Sequence, residues 1–190
     1  MIFVAITGSI GCGKTTVANV LRKLGYLVYD ADKWVKILYF KKDFLSEIQK
    51  YFPQVFVNGV FNKKMLRSVV FQNPQKLKIL ENLIHPFLTK KLRQIIRYRR
   101  NDGIVFFEAP LLFELGWDKF FDYVIVADVE YDAQKERVMK RDKISEDEFI
   151  RINALQMPRC DKICRADMVI DTGEDINKLR RNIVQMLGVF

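Results

Sequence analysis

Residues 8–15 read Gly8-Ser9-Ile10-Gly11-Cys12-Gly13-Lys14-Thr15 and fill the pattern G-x-x-x-x-G-K-[ST] completely. Context decides what such a run means, and here both flanks fit. Upstream, Ile2-Phe3-Val4-Ala5-Ile6 is apolar throughout, which suits a strand buried on both faces of a parallel sheet. Downstream, Val17, Val20, Leu21 and Leu24 form a helical stripe from Thr16 to Leu24, and Gly25 stops it. The glycines allow successive backbone N–H groups to turn inward as an anion nest at a helix N-terminus, whose partial positive charge favours phosphate. Residues Gly8, Ser9, Ile10, Gly11, Cys12, Gly13, Lys14, Thr15 and Thr16 are therefore expected to cradle ATP. Lys14 should act as a point charge on the β- and γ-phosphates, and the Thr15 hydroxyl as a ligand of Mg²⁺.

Tyr26–Tyr29 reads as a second strand, which closes a strand–loop–helix–strand unit. Three more strands are predicted at Ile104–Phe107, Tyr123–Ala127 and Met168–Ile170, separated by long helical patterns. The expected fold is α/β, a parallel five-stranded sheet with helices on both faces. Roughly 70 residues separate the second strand from the third, too many for one crossover helix. Helical patterns near Trp34–Tyr39, Phe44–Phe52, Lys63–Phe71, Gln75–Leu83 and Phe87–Arg100 make this stretch a helical insert. Val57-Asn58-Gly59-Val60 predicts a tight hairpin turn, and Asn73-Pro74 and His85-Pro86 are read as helix boundaries.

Several residues carry chemistry beyond the glycine loop. Asp30 and Asp32 close the second strand, where ligands bind in open α/β sheets. Phosphorylating a hydroxyl calls for a carboxylate to orient it and take its proton, and the pair suits that need or a place beside the metal. An aspartate capping the next helix is the alternative. Glu108, at the end of the third strand, is placed to hold a metal-bound water. Pro110-Leu111-Leu112-Phe113-Glu114 then forms an apolar loop, a substrate wall or plain packing. Arg137 and Arg141 share one helix face, and Arg159, Lys162 and Arg165 follow in a polar stretch, together resembling a cationic lid. His85 is the only histidine.

The chain has 190 residues and a formal charge of +9. Its longest apolar runs fall far short of the roughly 20 residues that span a bilayer, so no membrane attachment is expected. The start lacks the basic and long apolar regions of a signal peptide, pointing to the cytoplasm. Of the three cysteines, Cys12 sits in the glycine loop, where a disulfide would block the site, and Cys160 and Cys164 lack the histidines a zinc site would want. The positive charge suits either nucleic acid or polyanionic small molecules. Much of it, at Lys63-Lys64, Lys90-Lys91 and Arg97–Arg100, falls on helical stretches as a solvated face. The aromatic residues fall mostly on apolar faces rather than on a stacking platform, so no nucleic-acid partner is expected.

Taken together, these segments resemble the dephospho-coenzyme A kinase family along essentially the whole chain. The resemblance rests on Thr7-Gly8, Ile10-Gly11 and Gly13-Lys14, on Asp30-Ala31-Asp32, on Leu66-Arg67 with Phe71, on His85-Pro86 and on Pro110 to Glu114. It continues through Gln134 with Arg137 and Arg141-Asp142, Gln156 with Arg159, and Ala166-Asp167 with Val169-Ile170. Shikimate kinase shares the Asp-x-Asp pair but calls for a glycine triplet where this chain has Glu108-Ala109-Pro110, and adenylate kinase fits its loop less well. The resemblance implies a P-loop, nucleoside-monophosphate-kinase-like core (1–32, 103–136 and 166–190), a helical substrate insert (33–102) and a lid (137–165). It implies ATP and dephospho-CoA as substrates, with transfer to the ribose 3′-hydroxyl. On its pattern Asp32 is the general base, and Arg137 and Arg141 contact ATP phosphates and act with Lys14 in catalysis. Asp30, Asp32, His85, Pro110, Leu111, Leu112, Glu114 and Arg159 fall to the acceptor, and a monomer or weak homo-oligomer is expected. Ser9, Cys12 and Thr172 depart from the family's usual residues, the last on the adenine side.

Overall fold

A computed structural model describes residues 1–97 and 103–190. The chain divides into two compact units, Met1–Asp30 with Arg99–Phe190, and Ala31–Tyr98.

The first unit is built on a five-stranded, all-parallel sheet of β1 (Ile2–Thr7), β2 (Leu27–Asp30), β5 (Ile104–Glu108), β6 (Tyr123–Asp128) and β7 (Met168–Asp171), in the order β2-β5-β1-β6-β7. Each strand runs one residue further than its apolar stretch predicts, and the added residue is polar. Four of the five thus end on a carboxylate at the same edge, with Asp30 in register with Glu108 and Asp128 with Asp171. The central strand β1 ends on Thr7 and feeds the glycine loop, next to the point where the connections diverge to either side, the usual ligand crevice of such sheets. Alternation along the buried strands divides the side chains between the two faces. Val4, Ile6, Phe106 and Ile125 pack against α1 (Lys14–Lys23) and α9 (Ile176–Leu187). On the opposite face Phe3 and Phe107 are also buried, their rings 5.7 Å apart. Asp122 and Asp167 accept the amides of Phe3 and Val124 at 2.8 and 2.7 Å, which satisfies backbone donors beside the sheet. Helices α6 (Tyr131–Asp142), α7 (Glu146–Ala154) and α8 (Arg159–Cys164) connect β6 to β7.

The second unit holds α2 (Ala31–Leu38), α3 (Lys42–Tyr51), the hairpin β3 (Phe56–Val57) and β4 (Val60–Phe61), α4 (Lys63–Phe71) and α5 (Pro74–Arg97). The hairpin turn forms at Asn58 and Gly59, with φ of 50° and 77°, the left-handed values that the Asn-Gly pair predicts. Asn73 ends one helix and starts the next, its side chain accepting the amides of Gln75 and Lys76.

The boundary expected at His85-Pro86 is corrected: α5 runs through Pro86 without a break. A proline inside a helix removes one bond, to the Asn82 carbonyl, at a cost of about 3 kcal/mol. Here Asn82 and Pro86 lie on the exposed side, open to solvent, while Leu80, Ile84, Leu88 and Leu92 continue a buried stripe across the proline. That stripe packs against α2, α3 and α4 and outweighs the lost bond. The part of the Phe87–Arg100 pattern, and of the Arg97–Arg100 charge run, that follows Arg97 lies outside the described residues. No described helix is long and apolar enough to cross a membrane.

Candidate active site

The glycine loop takes its shape from close backbone approach. Gly8 has φ 144°, and a Cβ there would lie 2.3 Å from the Ala127 carbonyl oxygen. Gly13, at φ 77°, has Thr172 against it, where a Cβ would sit 2.8 Å from the threonine's own Cβ. No side chain caps the N-terminus of α1, whose first turn closes with the Thr16 and Val17 amides on the Gly13 carbonyl at 2.9 and 3.1 Å, and a helix N-terminus at the end of the loop suits phosphate oxygens.

Lys14 is 9% exposed and folds back on the loop, its ammonium donating to the carbonyls of Gly8 at 2.9 Å and Ser9 at 3.0 Å. The Thr15 hydroxyl donates to Glu108 Oε1 at 2.5 Å. The other oxygen, Glu108 Oε2, is buried without a hydrogen-bond partner, and the Arg22 guanidinium stands 3.8 Å away. Burial raises the Glu108 pKa above its ordinary value and Asp30 adds to the effect, against the opposing pull of Thr15, Lys14 and Arg22. A hydroxyl beside a buried carboxylate with an unsatisfied oxygen is a donor set that fits Mg²⁺ or its bound water. Among the described residues no group of three or more His, Cys, Asp or Glu side chains forms a protein-only metal site. Cys12 is buried within the loop, and burial pushes its thiol pKa up.

Arg137 and Arg141, predicted on one helix face, line a cavity of about 690 Å³ together with Gly11, Gly13, Lys14 and Thr15. The same cavity is closed by Thr172, Glu174, Ile176 and Leu179, of which the sequence singled out only Thr172. Nothing local marks the other three, which reach the cleft because α9 packs on α1. Arg137 donates to the Thr172 hydroxyl at 3.2 Å and to its carbonyl at 2.8 Å, both neutral oxygens. Arg141 forks onto its neighbour Asp142.

The basic residues of α8 are engaged differently. Arg159 makes a bidentate pair with Asp128 at 2.8 and 2.7 Å and also reaches Glu130 at 3.2 Å, contacts that raise its pKa. Lys162, 1% exposed, lies 3.0 Å from Glu114 Oε1, an ion pair without hydrogen-bond alignment. Arg165 pairs with Asp118 at 2.7 Å and covers the Phe113 ring. Glu114 in turn accepts the Met157 amide at 2.9 Å. In the segment between, Leu112 and Phe113 are buried, and Pro110 and Leu111 keep partial exposure.

Asp32 and His85 belong to the second unit. Asp32 stands in the first turn of α2. His85 lines a cavity of about 690 Å³ along α5 with Asn82, Lys90, Arg93 and Arg97. Burial lowers its pKa below the ordinary histidine value, with Glu81 opposing and Lys78 assisting.

Comparison with known proteins accords with this geometry. The family model described as dephospho-CoA kinase matches residues 2–178. A dephospho-CoA kinase of Bartonella henselae is 39% identical over 186 residues, 97% of this chain and 95% of the relative. Among solved structures, one from Thermus thermophilus superposes with a TM-score of 0.84 at 33% identity, covering 100% of this chain and 97% of the other. A dephospho-CoA kinase from Campylobacter jejuni gives 0.71 at 29% identity, covering 98% and 95%. A glycine loop that ends a central parallel strand, a Thr15–Glu108 pair and a cleft edged by two α6 arginines thus occur in a chain whose length is matched almost entirely, and the chain belongs to the dephospho-CoA kinase family.

Proposed function

We propose that the chain transfers the γ-phosphoryl group of ATP to the ribose 3′-hydroxyl of dephospho-CoA, releasing ADP and coenzyme A, the last step of coenzyme A biosynthesis. The observation that carries this reading is the single cleft in which the glycine loop, Lys14, Thr15, Arg137 and Arg141 meet, in a chain of this family.

The chemistry asks chiefly for positioning and charge neutralisation, because the transferred phosphoryl group passes between two oxygens with charge spread over the other three. Backbone amides at the start of α1 bind the phosphates. Lys14 exchanges its two carbonyl partners for phosphate oxygens, moving its charge by no more than a side-chain rotation. Arg137 and Arg141 offset the negative charge that builds as the bond to the leaving ADP lengthens. Thr15, with Glu108 behind it, would hold Mg²⁺, which would supply positive charge against the phosphates. Asp32 orients the acceptor hydroxyl and takes its proton as the new P–O bond forms. In the second unit, His85 and the basic side chains of α5 contact the phosphates of dephospho-CoA. Pro110 and Leu111 offer the apolar surface of the substrate wall.

The test is coupled ADP release. Purified protein with ATP and Mg²⁺ is expected to turn over on addition of dephospho-CoA, and Asp32→Asn to lose about two to four orders of magnitude in kcat with ATP affinity retained. No stimulation by dephospho-CoA above the background with other hydroxyl acceptors would sink the assignment.

A further inference from the structure

Ile10 sits in the middle of the glycine loop, and its N–H and C=O, which belong to the adjoining Ser9–Ile10 and Ile10–Gly11 peptide units, are each taken by a glutamine side chain from far along the chain. Gln156 Oε1 accepts the Ile10 N–H at 2.8 Å. Gln134 Nε2 donates to the Ile10 carbonyl at 2.8 Å and to Asn153 Oδ1 at 3.0 Å. Which end of each amide does what is fixed by its partner, since a backbone N–H only donates and a carbonyl only accepts. Gln134 lies on α6, 2% exposed, and Gln156 lies between α7 and α8. The loop is pressed on the same side: a Cβ at Gly11 would lie 2.4 Å from Val138 Cγ2 and 3.1 Å from the Gln134 carbonyl oxygen.

We propose that Gln134 and Gln156 are positioning residues for phosphate binding, which hold the two peptide units on either side of Ile10 and so fix the orientation of the amides that follow. The Ile10–Gly11 unit has on one side a glycine, at φ 79°, that tolerates both signs of φ, so this unit rotates more cheaply than one between two substituted residues. Rotating that unit about its flanking bonds would swing the Ile10 C=O away from Gln134 and turn the Gly11 N–H that shares its plane. It would break the bond to Gln134 and leave one N–H of that buried amide without its acceptor, while the same motion of the Ser9–Ile10 unit would break the bond to Gln156. The clamp also makes the residues around Gln156 part of the phosphate loop's support. The same short segment carries the Met157 amide bound to Glu114 and the Arg159 pair with Asp128. Any movement of the lid that preserves the loop therefore leaves this base in place.

The two glutamines use opposite ends of their amides, and this gives a test that separates positioning from space-filling. The proposal rests on the ATP-binding reading but not on the acceptor, so ADP affinity is measured by titration calorimetry without dephospho-CoA. The titrations are done in about 0.5 M KCl to screen the added charge of a carboxylate. Gln156→Glu keeps an acceptor for the Ile10 N–H and is expected to bind ADP within about threefold of the unaltered protein, whereas Gln156→Leu, of similar size, should weaken binding about tenfold or more. Gln134→Glu loses its donor and should weaken ADP binding at least as much. Equal affinities for Gln156→Glu and Gln156→Leu, or a fall in melting temperature with ADP affinity unchanged, would overturn the proposal. Should Gln134→Glu fail to fold, the Gln156 pair at its partly exposed position decides alone. Loss of dephospho-CoA turnover with these ADP affinities as expected would count against the acceptor and leave the clamp standing.

Discussion

Arg137 of helix α6 and the basic residues of α8 spend their charges in opposite ways, while Arg141 and Lys135 of α6 are themselves paired, with Asp142 and Glu146. Arg137 on α6 bonds only to a hydroxyl and a carbonyl of Thr172, so its positive charge stays available at the nucleotide cleft. Each basic residue of α8 and its C-terminal end instead meets an acid supplied by the core: Arg159 meets Asp128, Lys162 meets Glu114 and Arg165 meets Asp118. A run of cations is therefore a ligand site or a set of struts depending on where acids far away in sequence come to lie. On α8, three ion pairs fasten the helix to the end of β6 through Asp128 and to the β5–β6 connection through Glu114 and Asp118, and little net charge is left for phosphate.

The comparison can be broken most decisively at Arg137. Arg137→Met is expected to lower kcat by about a hundredfold or more, the usual scale for losing a charge that meets the transferring phosphoryl group. Stability should fall by no more than about 1 kcal/mol, the worth of its bonds to Thr172. A loss of stability without a loss of rate would make α6 a strut too. Arg159→Met should show the reverse. It leaves Asp128 nearly buried and unpaired, which costs about 1–3 kcal/mol in denaturant unfolding once the partial exposure of the pair is allowed for, with kcat changed by a few-fold at most. A selective rise in KM for dephospho-CoA at unchanged stability would return Arg159 to the acceptor.

The smallest effect concerns the acid that no α8 cation reaches. Glu108 has a folded pKa above its ordinary value of 4.5, with burial as the main cause. The native state therefore holds this proton more tightly than the unfolded chain. The carboxylate costs stability increasingly as pH rises from about 4.5 through the raised value, and none of that cost is felt below about 4.5. Glu108→Gln keeps an acceptor for Thr15 and should melt slightly higher than the unaltered protein at neutral pH. The gap should close on acidification, while Mg²⁺-dependent turnover falls. A lower melting point at neutral pH would show that the carboxylate is a structural partner after all.

The sheet is readable because its information is local. Apolar runs mark the five strands, the glycine loop marks the switch from strand to helix, and Asn58-Gly59 marks a turn that needs left-handed backbone. Where reading fails, the deciding term is tertiary. Pro86 reads as a boundary because one lost hydrogen bond is a local penalty, whereas the stripe of Leu80, Ile84, Leu88 and Leu92 that carries α5 across it gains its energy from three packed helices. The α8 pairs and the glutamine clamp have no local signature at all. Asp128 and Arg159 are 31 residues apart, and Ile10 and Gln156 are 146 apart. Resemblance singles out Gln134 and Gln156 without giving them a role, and the Ile10 N–H and C=O that they bind supply one.

Cys12 gives the phosphate loop one more property. A thiol reacts with oxidants and alkylating agents as its thiolate, and this one is 1% exposed with its ionisation disfavoured by burial. The loop thus carries a buried sulfur without becoming an oxidation-sensitive element. Under mild oxidative stress the modified sulfurs would be those of Cys160 and Cys164, both exposed on α8 and away from the loop's own backbone.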